Sequence, residues 1–295
     1  MISFRVMAFN VKTYIYRFAQ TILHYTWRAG GRRITAFGGE ITVAPETAFP
    51  SYRRLRLPRG GAKSEIVRYG DFVQIHSAIA YLDSLGRAVT VVDVGAHHGA
   101  YAVLLGKAVQ KMGGRVIAVE PNPLCFDILE QNVRRNSLAD VVFCEHCAVL
   151  DKPGVASISL DGSESRVFST ASANTVAVEA ITLKMLFEKY QIPAIDILII
   201  DVEGAELPVL QGFPWAEVEL GKIFCELHPY AWADFGYSGR EMQTFLQEHD
   251  MRCIDMYLME YASFSNFGYI GPAVFLPRGG AKAPLGSFKS LLSST

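Results

Sequence analysis

The chain has 295 residues, half of them hydrophobic, with 28 basic against 29 acidic side chains. This length allows one large α/β domain, or one domain with an extension, but not two independent enzymes. The near-neutral charge lacks the basic excess of nucleic-acid-binding proteins, so we predict no nucleic-acid partner, and the five scattered cysteines favour a reducing cytoplasm over a disulfide-stabilised secreted domain.

Residues 1–63 are predicted to form an N-terminal extension. In segment 1–27 apolar residues recur at helical spacing between basic ones, which indicates an amphipathic helix that packs on its own protein or a partner protomer, or contacts a membrane surface. A strand at 34–43 and a basic turn at 53–63 follow. No apolar stretch is long enough to span a bilayer, and the N-terminus lacks the regions of a signal peptide.

Residues 64–282 are predicted to form the main domain, followed by a tail at 283–295. A helix at 71–85 leads into short apolar runs that alternate with helical segments, as is typical of a parallel sheet built from βαβ units. The predicted strands are 89–94, 115–120, 141–147, 195–201, 222–227, 253–261 and 273–276, and the predicted helices are 101–111, 123–136, 183–190, 205–210 and 239–249.

No helix separates the last two strands, so we expect a doubly wound, mostly parallel, seven-stranded α/β sheet closed by an antiparallel C-terminal hairpin. The Ser-rich segment 151–178 is interpreted as irregular and as part of the substrate pocket. The heptapeptide Leu-Pro-Arg-Gly-Gly-Ala-Lys occurs at 57–63 and again at 276–282, and both copies are interpreted as basic surface turns.

A glycine-containing loop follows the strand 89–94 and reads Asp-Val-Gly-Ala-His-His-Gly from Asp93 to Gly99. Gly95 and Gly99 lack a Cβ, so the backbone can turn tightly and approach a ligand at the carboxyl edge of the sheet. The fingerprint Gly-x-Gly-x-x-Gly of dinucleotide sites is absent. The next strand ends in Glu120, an acid placed to accept hydrogen bonds from ribose hydroxyls. The sequence therefore predicts a nucleoside cofactor at this edge.

Polar residues also follow the fourth and fifth strands at the same edge. Asp201 ends the fourth strand, and because side chains alternate along a strand, Glu226 and His228 of the fifth should share a face. His228 titrates near neutrality and is the predicted base, with Asp201 and Glu226 as its catalytic partners. Alternatively, the same three residues hold a divalent metal, Mg, Mn or Zn. Glu203 and Glu206 are interpreted as acids that open the following helix.

These motifs resemble the FkbM family of class I, Rossmann-like, S-adenosylmethionine-dependent methyltransferases. The resemblance covers about residues 64–277, and its most specific element is Ile-Asp-Val-Glu-Gly-Ala-Glu at 200–206. It departs at His97 and His98, where the family usually has Asn-Ile, and at Ile199, where it usually has Lys. It implies an O-methyltransferase of natural product biosynthesis that modifies a free hydroxyl of a small molecule, sugar or glycan.

The resemblance also implies the roles of particular residues. Gly95, His97 and Gly99 would border the methionine part of S-adenosylmethionine, Glu120 would hold its ribose, and 146–148 would lie near its adenine. The full predicted cofactor site comprises Asp93, Gly95, Ala96, His97, Gly99, Tyr101, Glu120, Pro121, Asn122, His146, Cys147 and Ala148.

Other interpretations stay open on the sequence. The protein could be an NAD-dependent oxidoreductase, which the loop pattern disfavours, or a non-catalytic cofactor-binding scaffold subunit, which the polar strand ends disfavour. Cys144 and Cys147 lie three apart in a predicted strand and so point to opposite faces, against a zinc or dithiol role. An oligomer is compatible with the sequence, which does not identify the acceptor.

Overall fold

The computed structural model describes residues 32–36, 39–44, 47, 70–159, 167–168, 175–255, 260–261, 263–264 and 271–278. The predicted helix at 1–27, the basic turn at 53–63 and the tail at 283–295 lie outside these residues. Within the described part of the chain, no helix has both the length and the apolar character needed to cross a membrane.

The elements alternate along the chain as the apolar pattern predicts. The helices are α1 Gly70–Leu85, α2 Ala100–Gln110, α3 Pro123–Arg135, α4 Leu183–Tyr190, α5 Glu206–Gln211 and α6 Gly239–Glu248, with a 3-10 turn at Trp232–Phe235. The strands are β1 Arg32–Ala36, β2 Gly39–Val43, β3 Thr90–Val94, β4 Arg115–Val119, β5 Val142–Glu145, β6 Ala148–Val149, β7 Gly154–Ser159, β8 Val167–Phe168, β9 Thr175–Ile181, β10 Ala194–Ile200, β11 Glu219–Leu227, β12 Met251–Asp255, β13 Glu260–Tyr261 and β14 Gly271–Pro277.

The large sheet has the strand order β13-β12-β14-β11-β10-β3-β4-β5. Strands β5, β4, β3, β10 and β11 are parallel, while β14 runs antiparallel between β11 and β12. This confirms the doubly wound α/β class and its antiparallel C-terminal end. The strand predicted at 253–261 is in fact two strands, because Cys253 pairs antiparallel with Tyr261 and the chain must reverse between them.

Two further predictions of local structure were wrong. The segment 34–43 is not one strand but the antiparallel hairpin β1–β2, in which Ala36 lies opposite Gly39. The Ser-rich segment is not irregular throughout, because β7 and β9 pair antiparallel within a four-stranded sheet of order β6-β9-β7-β8. Its core is small. Ala156 and Ile158 are buried while the preceding Val155 is exposed, and so short an alternation gives a weak sequence signal.

The hydrophobic core lies on both faces of the large sheet. Helices α1, α2 and α3 cover one face through residues such as Leu82, Leu105 and Leu129, and α4, α5 and α6 cover the other. Cys144 packs on the face covered by α1, α2 and α3, and Cys147 packs on the opposite face, as their spacing predicts. All five cysteines are free thiols. The helices therefore leave the carboxyl ends of the parallel strands as the edge at which the polar residues gather.

Candidate active site

The loop after β3 is wedged between the ends of β4 and β10. The backbone N–H groups of Gly95 and Ala96 donate to the carbonyl of Val119 over 2.9 and 3.0 Å. Gly95 has a φ of +88°, and a Cβ there would stand 1.8 Å from the carbonyl oxygen of Asp201. Gly99 has a φ of +81°, and a Cβ on it would meet Leu129 at 2.6 Å. The need for glycine at both positions is confirmed, and its cause is close packing of the loop itself.

Two buried carboxyl groups flank this loop. The carboxylate of Asp93 accepts the backbone N–H of Ala102 in the first turn of α2, and its Oδ2 has no hydrogen-bond partner among the described residues. Glu120 accepts the backbone N–H groups of His97 and Asn122, over 2.7 and 2.8 Å. Burial raises the pKa of both side chains to about 7, and the charge of Glu120 adds to the effect on Asp93. Both groups can therefore change protonation near neutral pH when a ligand binds.

The histidines of the loop lie face to face. The ring centroids of His97 and His98 are 3.8 Å apart, and the backbone of His97 is left-handed with a φ of +49°. Burial lowers the pKa of His97, and burial together with the neighbouring His97 lowers the pKa of His98 to about 3. Both imidazoles are therefore uncharged at neutral pH.

Two of the predicted cofactor residues have structural partners. The side chain of Asn122 caps α3, accepting the backbone N–H groups of Leu124 and Cys125. The hydroxyl of Tyr101 donates to Oε1 of Gln74 in α1 over 2.8 Å, so that proton is engaged away from the loop. Both side chains thus take part in the packing of the helices beside the loop.

The predicted adenine-side residues meet at the ends of β4 and β5. Nε2 of His146 lies 3.2 Å from the carbonyl oxygen of Pro121, and its ring stacks on Phe126 with centroids 4.9 Å apart. Cys147 and Ala148 are buried behind it. The structure thus brings Pro121 and His146 together, beside Glu120.

The residues at the ends of β10 and β11 are organised around Glu206, which is 0% exposed. Its carboxylate accepts the backbone N–H of His228, with Nδ1 of the same residue 2.7 Å away, and also accepts from Nε1 of Trp232 and the hydroxyl of Tyr237, each at 2.9 Å. Glu206 begins α5, as predicted, but its side chain holds the imidazole of His228. Glu206 belongs to a recognisable sequence motif. The neighbouring residues do not indicate that its partner is His228, directly after β11.

The other ring nitrogen of His228 faces three more carboxylates. Nε2 lies 3.9 Å from Asp201, 3.7 Å from Glu203 and 3.9 Å from Glu226. The predicted meeting of Asp201, Glu226 and His228 is therefore what the structure shows. Glu203, interpreted only as a helix-opening acid, joins them and accepts the hydroxyl of Tyr230 over 2.6 Å. Asp201 is the most open of the three, with 40% of its side chain exposed.

The surroundings of His228 change its expected charge. Burial lowers its pKa, but the hydrogen bond to Glu206 and the charges of Asp201, Glu206 and Glu203 outweigh burial and raise the pKa to about 10. In the ligand-free protein His228 is an imidazolium at neutral pH. The expectation that this imidazole titrates near neutrality was wrong, because it considered the residue type without four neighbouring carboxylates.

The strand order, the antiparallel β14 and the polar carboxyl edge define a Rossmann-like class I methyltransferase fold. A family model described as the methyltransferase FkbM domain matches residues 93–253, over half of the chain. The chain therefore belongs to the FkbM methyltransferase domain family, as its motifs predicted.

Individual relatives are distant. The methyltransferase sdnD of Sordaria araneosa is 25% identical over 41% of this chain and 59% of its own length, so the chain spans less than two thirds of that protein. The solved methyltransferase FkbM from Methylobacillus flagellatus KT is 15% identical, with a TM-score of 0.42 over 68% of this chain and 47% of its own. An O-methyltransferase from Bacillus cereus in complex with SAH is 12% identical, with a TM-score of 0.41 over 74% of this chain and 83% of its own.

Proposed function

We propose that the protein transfers a methyl group from S-adenosylmethionine to a hydroxyl of a small-molecule natural product, sugar or glycan. The observation that carries the proposal is the position of Gly95, which bonds to the end of β4 beside Glu120 and packs against Asp201 at the end of β10. A nucleoside-type pocket and a cluster of proton-accepting groups thus flank one loop. Family membership favours methyl transfer over the NAD-dependent alternative.

The described residues fit S-adenosylmethionine, which supplies a methyl group activated on a sulfonium. Glu120 would hold the ribose hydroxyls, because its buried carboxylate gains charge-assisted hydrogen bonds from them. Asp93, with an unpartnered buried oxygen, adds negative charge that suits a cationic cofactor. Gly95, Ala96, His97 and Gly99 would border the methionine part, and Pro121 with 146–148 would lie beside the adenine.

At the acceptor side the residues must align the hydroxyl and remove its proton while an O–C bond forms and the S–C bond breaks. Because His228 is already protonated at neutral pH, the carboxylates of Asp201 and Glu226 are the proposed proton acceptors. His228 orients them from Nε2, and Glu206 fixes the ring through Nδ1. The arrangement therefore supports a carboxylate and imidazolium pair as the base.

A divalent cation at these residues is a second candidate. One oxygen each of Asp201 and Glu203 and one nitrogen of His228 lie within 4.8 Å of one another. This set contains Glu203 in place of the predicted Glu226. A carboxylate such as Glu206 on the other ring nitrogen is the usual support of a metal-binding histidine. Mg²⁺, Mn²⁺ or Zn²⁺ here would bind the acceptor oxygen and lower the pKa of its hydroxyl.

The proposal is tested by measuring SAH release against panels of sugars, lipids and polyketide alcohols, with and without a chelator. Asp201→Ala and His228→Ala should lose ~100-fold or more in turnover while retaining S-adenosylmethionine affinity in calorimetric titration. Glu130→Ala, an exposed position on α3, is the control. Unchanged turnover in both variants would remove both residues from the chemistry.

The same measurements distinguish the alternative functions. Binding of NAD but not of S-adenosylmethionine would favour the oxidoreductase, and cofactor binding without turnover on any acceptor would favour the scaffold. Loss of activity with chelator would favour the metal.

We also propose the extent and setting of the domain. Residues 64–282 form the transferase domain, since the family match falls inside them, with an extension at 1–63 and a tail at 283–295. The hairpin β1–β2 contacts this domain through α3. The proposed setting is the cytoplasm, where free thiols such as these five stay reduced.

A further inference from the structure

Two imidazoles and a thiol come together at the cofactor loop. One ring nitrogen each of His97 and His98 and the Sγ of Cys125, in the first turn of α3, lie within 4.8 Å of one another. We propose that these three side chains bind a Zn²⁺ ion when the cofactor is absent, and that this ion competes with S-adenosylmethionine. The competition rests on the proposed function, whereas the zinc site does not.

The ligand set selects the class of ion. Two imidazoles and a thiolate suit a borderline or soft cation such as Zn²⁺ and do not suit Mg²⁺ or Ca²⁺. Bonds of a tetrahedral zinc site, roughly 2.0 to 2.3 Å long, place ligand atoms about 3.5 Å apart. The three atoms here lie within 4.8 Å of one another, so the imidazoles would have to rotate to bring them to that spacing. Both histidines are half-buried and Cys125 is buried, so the ion would be enclosed on the thiol side.

The protonation states allow binding with one proton released. Both imidazoles are in the uncharged form that donates a lone pair to a metal. Burial raises the pKa of the Cys125 thiol to about 12, so the thiol is protonated until the ion arrives. Zn²⁺ then forms an S–Zn bond as the S–H bond breaks, and the proton goes to solvent. No oxidant or reductant is needed.

Competition follows from where the cluster lies. The backbone N–H of His97 donates to Glu120, the proposed ribose ligand, over 2.7 Å. The carbonyl of His98 accepts from Nδ2 of Asn132 over 2.7 Å, which holds the backbone of the loop in place. Because the backbone is held, binding must rotate the side chain of His97. Since one proton leaves as the ion arrives, binding adds one net positive charge beside the pocket proposed for a cationic cofactor. Zinc and the sulfonium would repel each other.

Zinc affinity is measured on the full chain without cofactor, by competition of ZnCl2 with a chromophoric zinc chelator. The zinc affinity should fall in His98→Ile and in Cys125→Ala, each by more than ~10 to 100-fold. That range is the cost of losing a residue that only supports a metal ligand. Cys144→Ala removes a half-buried thiol outside the cluster and should bind zinc as the wild type does. Any zinc that the wild type binds and His228→Ala does not is held at the cluster of Asp201, Glu203 and His228. Wild-type affinity in both His98→Ile and Cys125→Ala would overturn the site.

A second titration tests the competition. Zn²⁺ should raise the apparent Kd of S-adenosylmethionine in the wild type and leave it unchanged in His98→Ile, and circular dichroism checks that this variant is folded. Equal effects of Zn²⁺ on both proteins would overturn competition at this cluster. If S-adenosylmethionine does not bind even without zinc, the proposed function fails while the chelator measurement still decides the zinc site.

Discussion

Buried carboxyl groups with different hydrogen-bond partners do different work in this protein. Glu206 accepts from two side chains and from the backbone of His228, with the imidazole nitrogen as a further partner, so it is a fixed support. Among the described residues Glu120 accepts two backbone N–H groups, and burial raises its pKa to about 7. A carboxyl group of this second kind is completed by a ligand that brings further donors.

Cofactor affinity should therefore depend on pH. Asp93 and Glu120 have pKa values of about 7 in the ligand-free protein, and ribose hydroxyls and a sulfonium favour their ionised forms. The affinity for S-adenosylmethionine should rise ~10-fold from pH 6 to pH 8 for each group that must ionise, and so ~100-fold if both must, since a group of pKa about 7 goes from about 10% to about 90% ionised over that range. Titration calorimetry at pH 6, 7 and 8 measures this. Glu120→Gln should bind more weakly with a flatter profile, and a flat wild-type profile would contradict the assignment.

At the scale of elements, the site depends on how closely the loop after β3 fits between its neighbours. The hydrogen bonds of Gly95 and Ala96 to Val119 tie the loop to β4, and the N–H of Asp201 donates to Val94 over 2.9 Å to tie β10 to β3. The glycine-rich spacing predicted a tight turn. That the missing Cβ makes room for the carbonyl of Asp201 could not be predicted, since Asp201 lies over a hundred residues further along the chain.

Two glycine substitutions separate this close contact from backbone strain. Gly95 and Gly113 both have positive φ, but a Cβ at Gly113 would meet no atom within 4 Å. Gly113→Ala should therefore cost only the ~1 kcal/mol of a left-handed alanine. Gly95→Ala should cost about 3 kcal/mol or more, because overpacking adds to that strain, and it should abolish SAH binding. Urea unfolding and calorimetry measure both effects. Equal destabilisation of the two variants would show that the contact with Asp201 is unimportant.

At the scale of the whole molecule, the N-terminal hairpin is attached to the cofactor loop through α3. Oδ1 of Asn132 accepts the backbone N–H of Ala44, and its Nδ2 donates to the carbonyl of His98. Asn136 exchanges hydrogen bonds with the backbone of Thr42. Asn132 in α3 thus connects the segment after β2 to the loop after β3, and Asn136, which caps α3, adds a second attachment to β2.

Loss of the hydrogen bonds of Asn132 should loosen both the N-terminal hairpin and the loop after β3. Asn132→Ala removes the hydrogen bonds to the N–H of Ala44 and to the carbonyl of His98, at about 1 to 3 kcal/mol each, so the free energy of unfolding should fall by ~2 to 6 kcal/mol. Limited proteolysis should cut the first 69 residues faster, and SAH should bind more weakly. Glu130→Ala, which removes an exposed ion pair on the same helix, should change stability by less than about 1 kcal/mol. Similar proteolysis of the two variants would contradict this role of Asn132.

The sequence by itself determined the α/β class, the carboxyl-edge site and the family. The period of the apolar residues, the glycines between Asp93 and Gly99 and the acid at Glu120 are local features, and they are read from neighbouring residues. Short strands with small side chains, such as β7 and β9, were missed because their alternation is weak over six or seven residues.

Only the tertiary structure decided the charge of His228, the role of Glu206 and the attachment of the hairpin. Glu206 and His228 are 22 residues apart, and Ala44 and Asn132 are 88 apart, so no local pattern pairs them. The charge of His228, at the end of β11, depends on burial and on the carboxylates of Asp201, Glu203 and Glu206, which lie between the end of β10 and the start of α5. These properties arise from packing between distant segments, which exists only once the chain has folded.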